Sequence, residues 1–255
     1  MNIRKKHAIA GMVAALGMSA GNVSAALVAH YTFDNAGNLG ENSGSAGLTW
    51  NGSSGATAVS GKFGGAAGFV PATDYWNSGF GTAAVDFSNF TVSMHVKAPS
   101  AGNWTDFISF NGGGGTLKIE QNSGGHASVY STNTPGGAAV TIGGGAGPDI
   151  RDGGWHQLGL VSSGGTLTLY IDGIAVESAA YAGSGTITGL QLGAEWALGR
   201  RTTADIDDVA IYDRALTAGE MAWLNVNVAT EAVPEPSSAI LIGLGGLGLV
   251  LRRKR

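Results

Sequence analysis

Asp205 and Asp207 form the only pair of acidic residues two positions apart in this chain of 255 residues. On a β-strand, residues i and i+2 project from the same face, about 7 Å apart. Two carboxylates so placed can bind a cation, and glycoside hydrolysis requires a pair of this kind. Strict alternation also puts Asp207 on the face of Val209 and Ile211. If that face is the core, the carboxylate of Asp207 is partly buried and needs a partner.

Three aromatic residues lie in segments with the composition of loops. They are Tyr75, Trp76 and Trp104. Aromatic rings on exposed loops are favoured anchors for a ligand, because they combine a large apolar surface with few rotatable bonds. We therefore predict carbohydrate-binding roles for these three residues. The alternative for Trp76 is that its ring packs beneath its own loop.

Alternating apolar and polar residues predict many short strands. Residues 90–97 alternate throughout, with Phe90, Val92, Met94 and Val96 on the inner face, which predicts a half-buried strand. Further strands are predicted at 27–33, 106–110, 116–121, 126–131, 155–162 and 206–212. Frequent turns between them indicate an all-β fold, an antiparallel β-sandwich of the jelly-roll type.

Two local motifs fix the geometry of the second half of the chain. Asp172 and Gly173 separate two alternating strands, a pattern typical of a two-residue type I′ hairpin with Ile171 opposite Ile174 and Leu169 opposite Val176. The segment 217–220 has the pattern of a capping box and predicts one short C-terminal helix that ends near residue 225.

The first 25 residues have the composition of a secretory signal peptide. A basic start precedes an apolar run over residues 8–20, and a small-residue cleavage site ends at Ala25. The rest of the chain is therefore predicted to be exported. Residues 26–232 contain 7 Lys and Arg against 17 Asp and Glu, a net charge of −10. This acidic balance lacks the basic footprint of a nucleic-acid-binding protein.

The C-terminal end combines a Pro-Glu-Pro tripeptide, a short apolar stretch and a basic tail. The tripeptide is Pro234, Glu235 and Pro236, and the tail is Arg252, Arg253, Lys254 and Arg255. A helix over residues 239–251 would be about 20 Å long, whereas the hydrocarbon core of a bilayer is about 30 Å thick. The segment is predicted to be a temporary transmembrane helix with a basic stop-transfer tail. A short permanent anchor is the alternative.

Several stretches in order resemble the laminin-G-like (LamG-like) jelly-roll domain of the concanavalin A-like family. They are residues 27–34 with 42–44, 61–69, 154–173 and 206–216. The C-terminal end resembles the PEP-CTERM sorting signal of Gram-negative bacteria that secrete exopolysaccharide, which an exosortase cuts near the Pro-Glu-Pro. The resemblance implies a signal peptide over 1–25, a LamG-like β-sandwich over 26–228 and a sorting signal over 229–255.

The resemblance also implies a structural calcium ion. Proteins of this kind often tie the last strand to the first through calcium, which here would involve Asp207 and Asp34. Two arrangements need no metal: Asp207 caps backbone N–H groups, or it pairs with Arg200 or Arg201. No other cofactor is expected, because the histidines of the exported part lack the spacing of zinc ligands.

Glycan-cleaving members of this family carry an acidic strand motif, Glu-x-Asp-x-x-Glu or Glu-x-Asp-x-Glu. When this motif is aligned on Asp205 and Asp207, its second catalytic position falls on Ala210 or Val209. Neither side chain can exchange a proton, so we expect the protein not to be an enzyme.

Together these features predict a protein of the cell surface or exopolysaccharide matrix that binds carbohydrate or another matrix component. Its expected partners are the secretory translocon, signal peptidase, an exosortase, the inner membrane for a limited time and a polysaccharide. Two alternatives stay open: a glycan-cleaving enzyme with acids outside the usual motif, and a structural matrix protein without a discrete ligand.

Overall fold

The computed structural model describes residues 26–46, 48, 55–70, 76–79, 85–98, 104–113, 115–133, 139–145, 147–195 and 199–230. This part of the chain forms fifteen strands and one helix. In chain order they are β1 Leu27–Tyr31, β2 Thr57–Ser60, β3 Gly65–Gly68, β4 Trp76–Gly79, β5 Val85–Asp86, β6 Phe90–Lys97, β7 Thr105–Gly112, β8 Gly115–Gln121, β9 Ala127–Ser131, β10 Val140–Ile142, β11 His156–Ser163, β12 Thr166–Ile171, β13 Ile174–Ala180, β14 Thr186–Leu192, β15 Asp205–Tyr212 and α1 Ala218–Leu224.

The strands form two antiparallel sheets. The first sheet has the order β13-β12-β11-β6-β15-β3-β2, and β1 also pairs with β15. The second has the order β10-β9-β8-β7-β14-β4, and β5 also pairs with β14. Apolar side chains from both sheets, such as Met94 of β6 and Phe110 of β7, share one fully buried cluster. The predicted antiparallel β-sandwich of jelly-roll type is confirmed.

Strand β6 is buried on both faces, whereas its alternation predicted one face in solvent. Thr91 and His95 lie on the face opposite the main core, yet both are 0% exposed. The N-terminal end of α1 is bound there, because Thr91 donates to Arg214 O (2.8 Å) and accepts from Leu216 N (2.8 Å). The prediction of a solvent-exposed face was wrong because helix α1, which lies far along the chain, covers the outer face of this sheet.

Helix α1 begins at the predicted capping box. The side chain of Thr217 accepts from Glu220 N (3.3 Å), and the carboxylate of Glu220 accepts from Thr217 N (2.7 Å). Leu216 and Met221 flank this cap and are both buried in a second, smaller core that lies under the helix. The predicted capping box is therefore confirmed, and Leu216 and Met221 occupy the two positions of a hydrophobic staple.

The β12–β13 hairpin turns at Asp172 and Gly173, as predicted. Their φ angles of 51° and 78° fit a type I′ turn. Ile171 lies opposite Ile174 as expected, but a β-bulge after Leu169 places Leu169 opposite Glu177 and not Val176. The bulge adds one residue to the register, which alternation alone does not reveal.

Asp172 also binds His156 from the start of β11, and this contact makes stability depend on pH. The carboxylate of Asp172 lies 2.9 Å from His156 Nδ1, and Asp152 lies 3.1 Å from Nε2. The hydrogen bond from Asp172, helped by Asp152, raises the pKa of His156 above its ordinary value. The charged imidazole therefore stabilises the folded state fully below the unfolded pKa of about 6.5, and this contribution is lost as pH rises through the folded pKa.

The expected result is a free energy of unfolding that falls as pH rises above about 6.5, with a smaller decline in His156→Gln. Urea unfolding from about pH 5 to about pH 9 measures the difference. Parallel pH profiles for the two proteins would contradict this assignment.

The first 25 residues and the predicted sorting signal from residue 231 lie outside the described residues. Among the residues that are described, no helix is long and apolar enough to cross a membrane. The predicted transmembrane helix at 239–251 stays a prediction.

Candidate functional site

Asp34 and Asp207 bind the same tight loop between β2 and β3. Gly65 N donates to Asp34 Oδ1 (2.7 Å), and Phe63 N donates to Asp207 Oδ2 (2.9 Å). The loop approaches both carboxylates so closely that a Cβ on Gly64 would overlap Asp34 Oδ1. The two carboxylates that the resemblance assigned to calcium thus bind the same loop, which starts at Gly61.

Asp207 is buried with one oxygen unsatisfied. Its side chain is 0% exposed, and Oδ1 has no hydrogen-bond partner among the described residues. The pKa of Asp207 is raised to about 7, mainly by burial. The hydrogen bond from Phe63 N opposes this rise, and the nearby carboxylate of Asp208 adds to it. One predicted alternative, the capping of backbone N–H groups, is realised at Oδ2, whereas Arg200 pairs with Glu120 instead.

The burial of Asp207 has a different cause from the predicted one. Asp207 lies opposite His95 on the outer face of the first sheet, while Val209 and Ile211 belong to the main core. A β-bulge at Asp208, whose φ is 47°, breaks the alternation between them. The loop at Phe63 covers the outer face here, with the Phe63 ring edge-on to His95 at 5.0 Å.

These residues fit a calcium site in part. Calcium binds six to eight oxygen atoms, and carboxylates, backbone carbonyls and water all serve. Asp207 Oδ1 is a buried oxygen that a cation would satisfy, and Asp34 supplies a second carboxylate. Within the described residues no group of three or more His, Cys, Asp or Glu side chains is placed to hold a metal ion, so backbone and water oxygens would complete the shell.

Next to this loop, Ser43, His30 and Asp208 form a hydrogen-bonded chain. Ser43 Oγ lies 2.8 Å from His30 Nδ1, and His30 Nε2 lies 2.7 Å from Asp208 Oδ1. The composition matches a catalytic triad, but the backbone N–H groups of residues 43–45 already donate to His30 O, Asn42 Oδ1 and Leu27 O. Without free donors there, an oxyanion has no binding site. The chain instead joins β1 to β15 and to Ala229 N, which donates to Asp208.

A cluster of five charged residues occupies the outer face of the second sheet. We call it the charged cluster, and its members are Asp106, Lys118, Glu120, Glu195 and Arg200. Asp106 on β7 lies directly opposite Glu120 on β8. Lys118 Nζ is 3.1 Å from Asp106 Oδ2, 3.1 Å from Glu120 Oε2 and 3.3 Å from Glu195 Oε2. Arg200 Nη1 is 2.8 Å from Glu120 Oε2.

Burial controls the charge of this cluster. Asp106 is 0% and Glu120 1% exposed, although both face away from the main core. Burial raises the pKa of Asp106 to about 8, against the attraction of Lys118 and with the repulsion of Glu120. Burial opposes the charged lysine too, but Asp106 and Glu120 outweigh it and raise the pKa of Lys118. Three carboxylates share two cations, so the cluster has an excess of negative groups, which burial disfavours most at Asp106.

Trp104 borders the charged cluster and is open to solvent. Its side chain is 42% exposed, and the guanidinium of Arg200 lies 5.3 Å from its ring centre. A cation at this distance over an aromatic face is attracted by the ring and holds it in place. An exposed, fixed aromatic surface thus lies beside buried hydrogen-bonding groups, the arrangement expected of a ligand site with specificity.

Only part of the predicted binding site can be compared with the structure. Trp104 lies at the surface, as predicted for a binding residue. Tyr75 lies outside the described residues, as do Pro234, Glu235, Pro236, Arg252, Arg253, Lys254 and Arg255, and for Trp76 only the backbone in β4 is described. These assignments stay predictions.

The charged cluster was missed in the sequence, although it left a signal. Lys118 and Glu120 alternate with Leu117 and Ile119, so the predicted strand carries charges on one face and apolar residues on the other. Such a face usually indicates solvent. In the structure Glu195 and Arg200, which lie in the connection between β14 and β15, form ion pairs with Lys118 and Glu120 on this face. Sequence spacing does not predict these contacts.

Known structures share this fold. The binding domain of Paraclostridial Mosquitocidal Protein 1 is 17% identical, with 78% of this chain and 51% of that chain aligned at a TM-score of 0.62. The botulinum neurotoxin serotype G binding domain is 16% identical, with 78% and 50% aligned at 0.63. The chain spans about half the length of these two. No curated protein sequence matches it.

A third structure matches over nearly its whole length. Domain 4 of AbnA, a GH43 extracellular arabinanase from Geobacillus stearothermophilus solved in complex with arabinotriose, is 22% identical, with 78% of this chain and 98% of that chain aligned at a TM-score of 0.59. At these identities the likeness shows the fold.

Two family models match the sequence itself. Residues 232–255 match the PEP-CTERM protein-sorting motif, which marks an exported protein with a C-terminal signal for an exosortase-related sorting pathway. Residues 71–222, more than half of the chain, match the model described as the concanavalin A-like lectin/glucanases superfamily, Laminin_G_3. The chain therefore belongs to the concanavalin A-like lectin/glucanase superfamily and has a LamG-like domain followed by a PEP-CTERM motif.

Proposed function

We propose that this protein is a non-enzymatic carbohydrate-binding module of the cell surface or exopolysaccharide matrix. The observation that carries the proposal is Trp104, an exposed ring fixed by Arg200 at the border of the charged cluster. An aromatic surface can pack against the apolar face of a sugar ring, while charged groups bind its hydroxyl groups through strong hydrogen bonds. The AbnA domain, which shares the fold, was solved with arabinotriose.

The charged cluster favours binding over cleavage. Asp106 and Glu120 resemble an acid–base pair, since burial raises the pKa of Asp106 and the two residues lie opposite each other on neighbouring strands. However, Lys118 Nζ lies 3.1 Å from an oxygen of each, in the space that a glycosidic oxygen and a water molecule would need. A pair held by a lysine in this way cannot transfer a proton to a substrate. We therefore infer that the protein does not cleave its ligand.

A calcium ion is the proposed structural cofactor. It would bind Asp207 and Asp34 and so tie the last strand to the segment that follows the first. The unsatisfied oxygen Asp207 Oδ1 supports this proposal. The ion would stabilise the sandwich and would not contact the glycan at Trp104.

The proposal also includes the route by which the protein is exported and sorted. The general secretory route would export the chain, signal peptidase would remove residues 1–25, and the segment at 239–251 would hold the protein briefly in the inner membrane. An exosortase would then cut near Pro234, Glu235 and Pro236 and release the domain to the surface or matrix. The PEP-CTERM match at 232–255 supports this sequence of events.

Trp104→Ala tests the binding site. We expect it to weaken glycan binding at least about 30-fold, because truncation of a central aromatic anchor typically costs 2 kcal/mol or more. Titration calorimetry of the full-length protein in detergent, with the best ligand from a glycan array, measures the loss. Ile174→Ala is the matched control, since Ile174 is also an exposed apolar side chain (68%) but lies on the first sheet. If Trp104→Ala and the wild type bind the glycan with equal affinity, Trp104 is not part of the binding site.

A further inference from the structure

A surface cavity lies at the end of the first sheet, apart from the charged cluster. It has a volume of about 240 Å³ and is lined by Phe69, Lys97, Ala98, Thr203, Ala204 and Asp205. Pockets for drug-sized ligands are usually about 300–1,000 Å³. This cavity is therefore too small for an oligosaccharide and large enough for a single ring.

The cavity contains one acceptor and one donor that do not satisfy each other. Asp205 and Lys97 lie directly opposite on β15 and β6. Within the described part of the chain their charges attract each other, but neither charged group has a hydrogen bond or an ion pair. Gly68 faces the carboxylate, and a Cβ there would lie 3.2 Å from Asp205 Oδ1, so the absence of a side chain keeps this oxygen uncovered.

The rest of the lining suits a sugar ring. Ala98 and Ala204 are buried and apolar, and they present small side chains that leave room for a ligand. A carboxylate accepts hydrogen bonds from two hydroxyl groups, and an ammonium donates up to three. Neighbouring hydroxyl groups on one sugar ring both donate and accept, so one ring can satisfy Asp205 and Lys97 together.

Charge selects the class of sugar. A uronic acid would bring a second carboxylate beside Asp205, in a domain that already carries a net charge of −10 over residues 26–232. Lys97 is the one cation among the described residues that line the cavity, and the charge of Asp205 already offsets it. Like charges in a partly buried site repel, whereas a neutral sugar meets no such penalty.

We propose that this cavity is a second glycan subsite, which binds one neutral sugar ring through Asp205 and Lys97. The inference rests on the proposed carbohydrate-binding function and extends it to the ligand class and to a second contact point. A polysaccharide would then bind at Trp104 and, through one ring, in the cavity.

The test uses free monosaccharides and the full-length protein in detergent. The probes are glucose, galactose, mannose, arabinose and xylose, with glucuronic and galacturonic acids for comparison. Saturation-transfer NMR detects binding, and a titration gives each Kd. We expect at least one neutral sugar to bind, with the corresponding uronic acid at least about tenfold weaker, and Asp205→Asn and Lys97→Met each to lose about tenfold or more.

The outcomes separate the inference from the proposed function. If Asp205→Asn and Lys97→Met both still bind the monosaccharide, the cavity is not the subsite. The same conclusion follows if Trp104→Ala is the only variant that loses binding. Neither result would argue against glycan binding at Trp104. Equal binding of a neutral sugar and its uronic acid would overturn the charge argument. If no monosaccharide binds while array glycans do, the subsite is wrong and the proposed function stands. Thermal melting confirms that each variant is folded. If Asp205→Asn is unfolded, Lys97→Met alone tests the cavity.

Discussion

Lys118→Met should destabilise the protein by about 3–5 kcal/mol, because it removes one partner of a buried ion cluster and leaves the others unpaired. Lys118 Nζ lies within 3.3 Å of three carboxylates, and its side chain is 7% exposed. Without it, Asp106 and Glu120 face each other across β7 and β8 with only Arg200 for compensation. Urea unfolding measured at constant m-value gives the change in free energy.

Lys97→Met is the matched control for this experiment. Lys97 is also a strand lysine, but its side chain is exposed and makes no ion pair within the described residues. We expect its free energy of unfolding to change by no more than about 0.5 kcal/mol. Adding Asp106→Asn to Lys118→Met should restore part of the loss, because among the described residues Lys118 is the only cation paired with Asp106, whereas Glu120 keeps Arg200. A loss below about 1 kcal/mol in Lys118→Met would show that the cluster is not coupled as the distances indicate.

Calcium should raise the melting temperature of the protein by about 3–10 °C at about 10 mM. Calcium sites in extracellular modules have Kd values of about 10⁻⁴–10⁻³ M, so this concentration contributes about 1.4–2.7 kcal/mol to the folded state. For a domain of this size, each kcal/mol shifts the melting temperature by about 2–4 °C. Calorimetric melting with calcium and with EGTA measures the shift.

Two variants of neighbouring carboxylates show whether the ion binds where we propose. Asp207→Asn should abolish the calcium response, because it removes the charge at the unsatisfied oxygen Asp207 Oδ1. Asp205→Asn should keep it, since Asp205 lies on the same strand but opposite Gly68 and Lys97, and the loop at Phe63 donates its hydrogen bond to Asp207. Identical melting curves of the wild type with calcium and with EGTA would show that calcium does not stabilise the folded protein.

The fold could be predicted from sequence because its signals are local. Alternation located β6 over residues 90–97 to the residue, and the turn at Asp172 and the cap at Thr217 depend on neighbours in the chain. The errors are features that alternation does not contain. The β-bulge at Asp208 and the helix that covers Thr91 involve contacts between distant segments, and the β-bulge at Leu169 adds a residue within a local hairpin.

The candidate site was less predictable than the fold for the same reason. Asp34 and Asp207 were connected through a family resemblance, and in the structure both accept hydrogen bonds from the loop between β2 and β3. The charged cluster joins Asp106, Lys118 and Arg200, which lie up to 94 positions apart in the sequence. No spacing rule links such residues. What the sequence did provide was the exposed Trp104 beside them.

The most direct test of the central claim is to incubate the purified protein with the exopolysaccharide of the bacterium that produces it. Cosedimentation measures retention of the protein, and size-exclusion chromatography measures the length of the polymer. We predict that the polymer retains the protein and keeps its length, and that Trp104→Ala is retained much less. Shortening of the polymer would contradict the claim that the protein binds without cleaving, and failure to retain the wild-type protein would contradict carbohydrate binding itself.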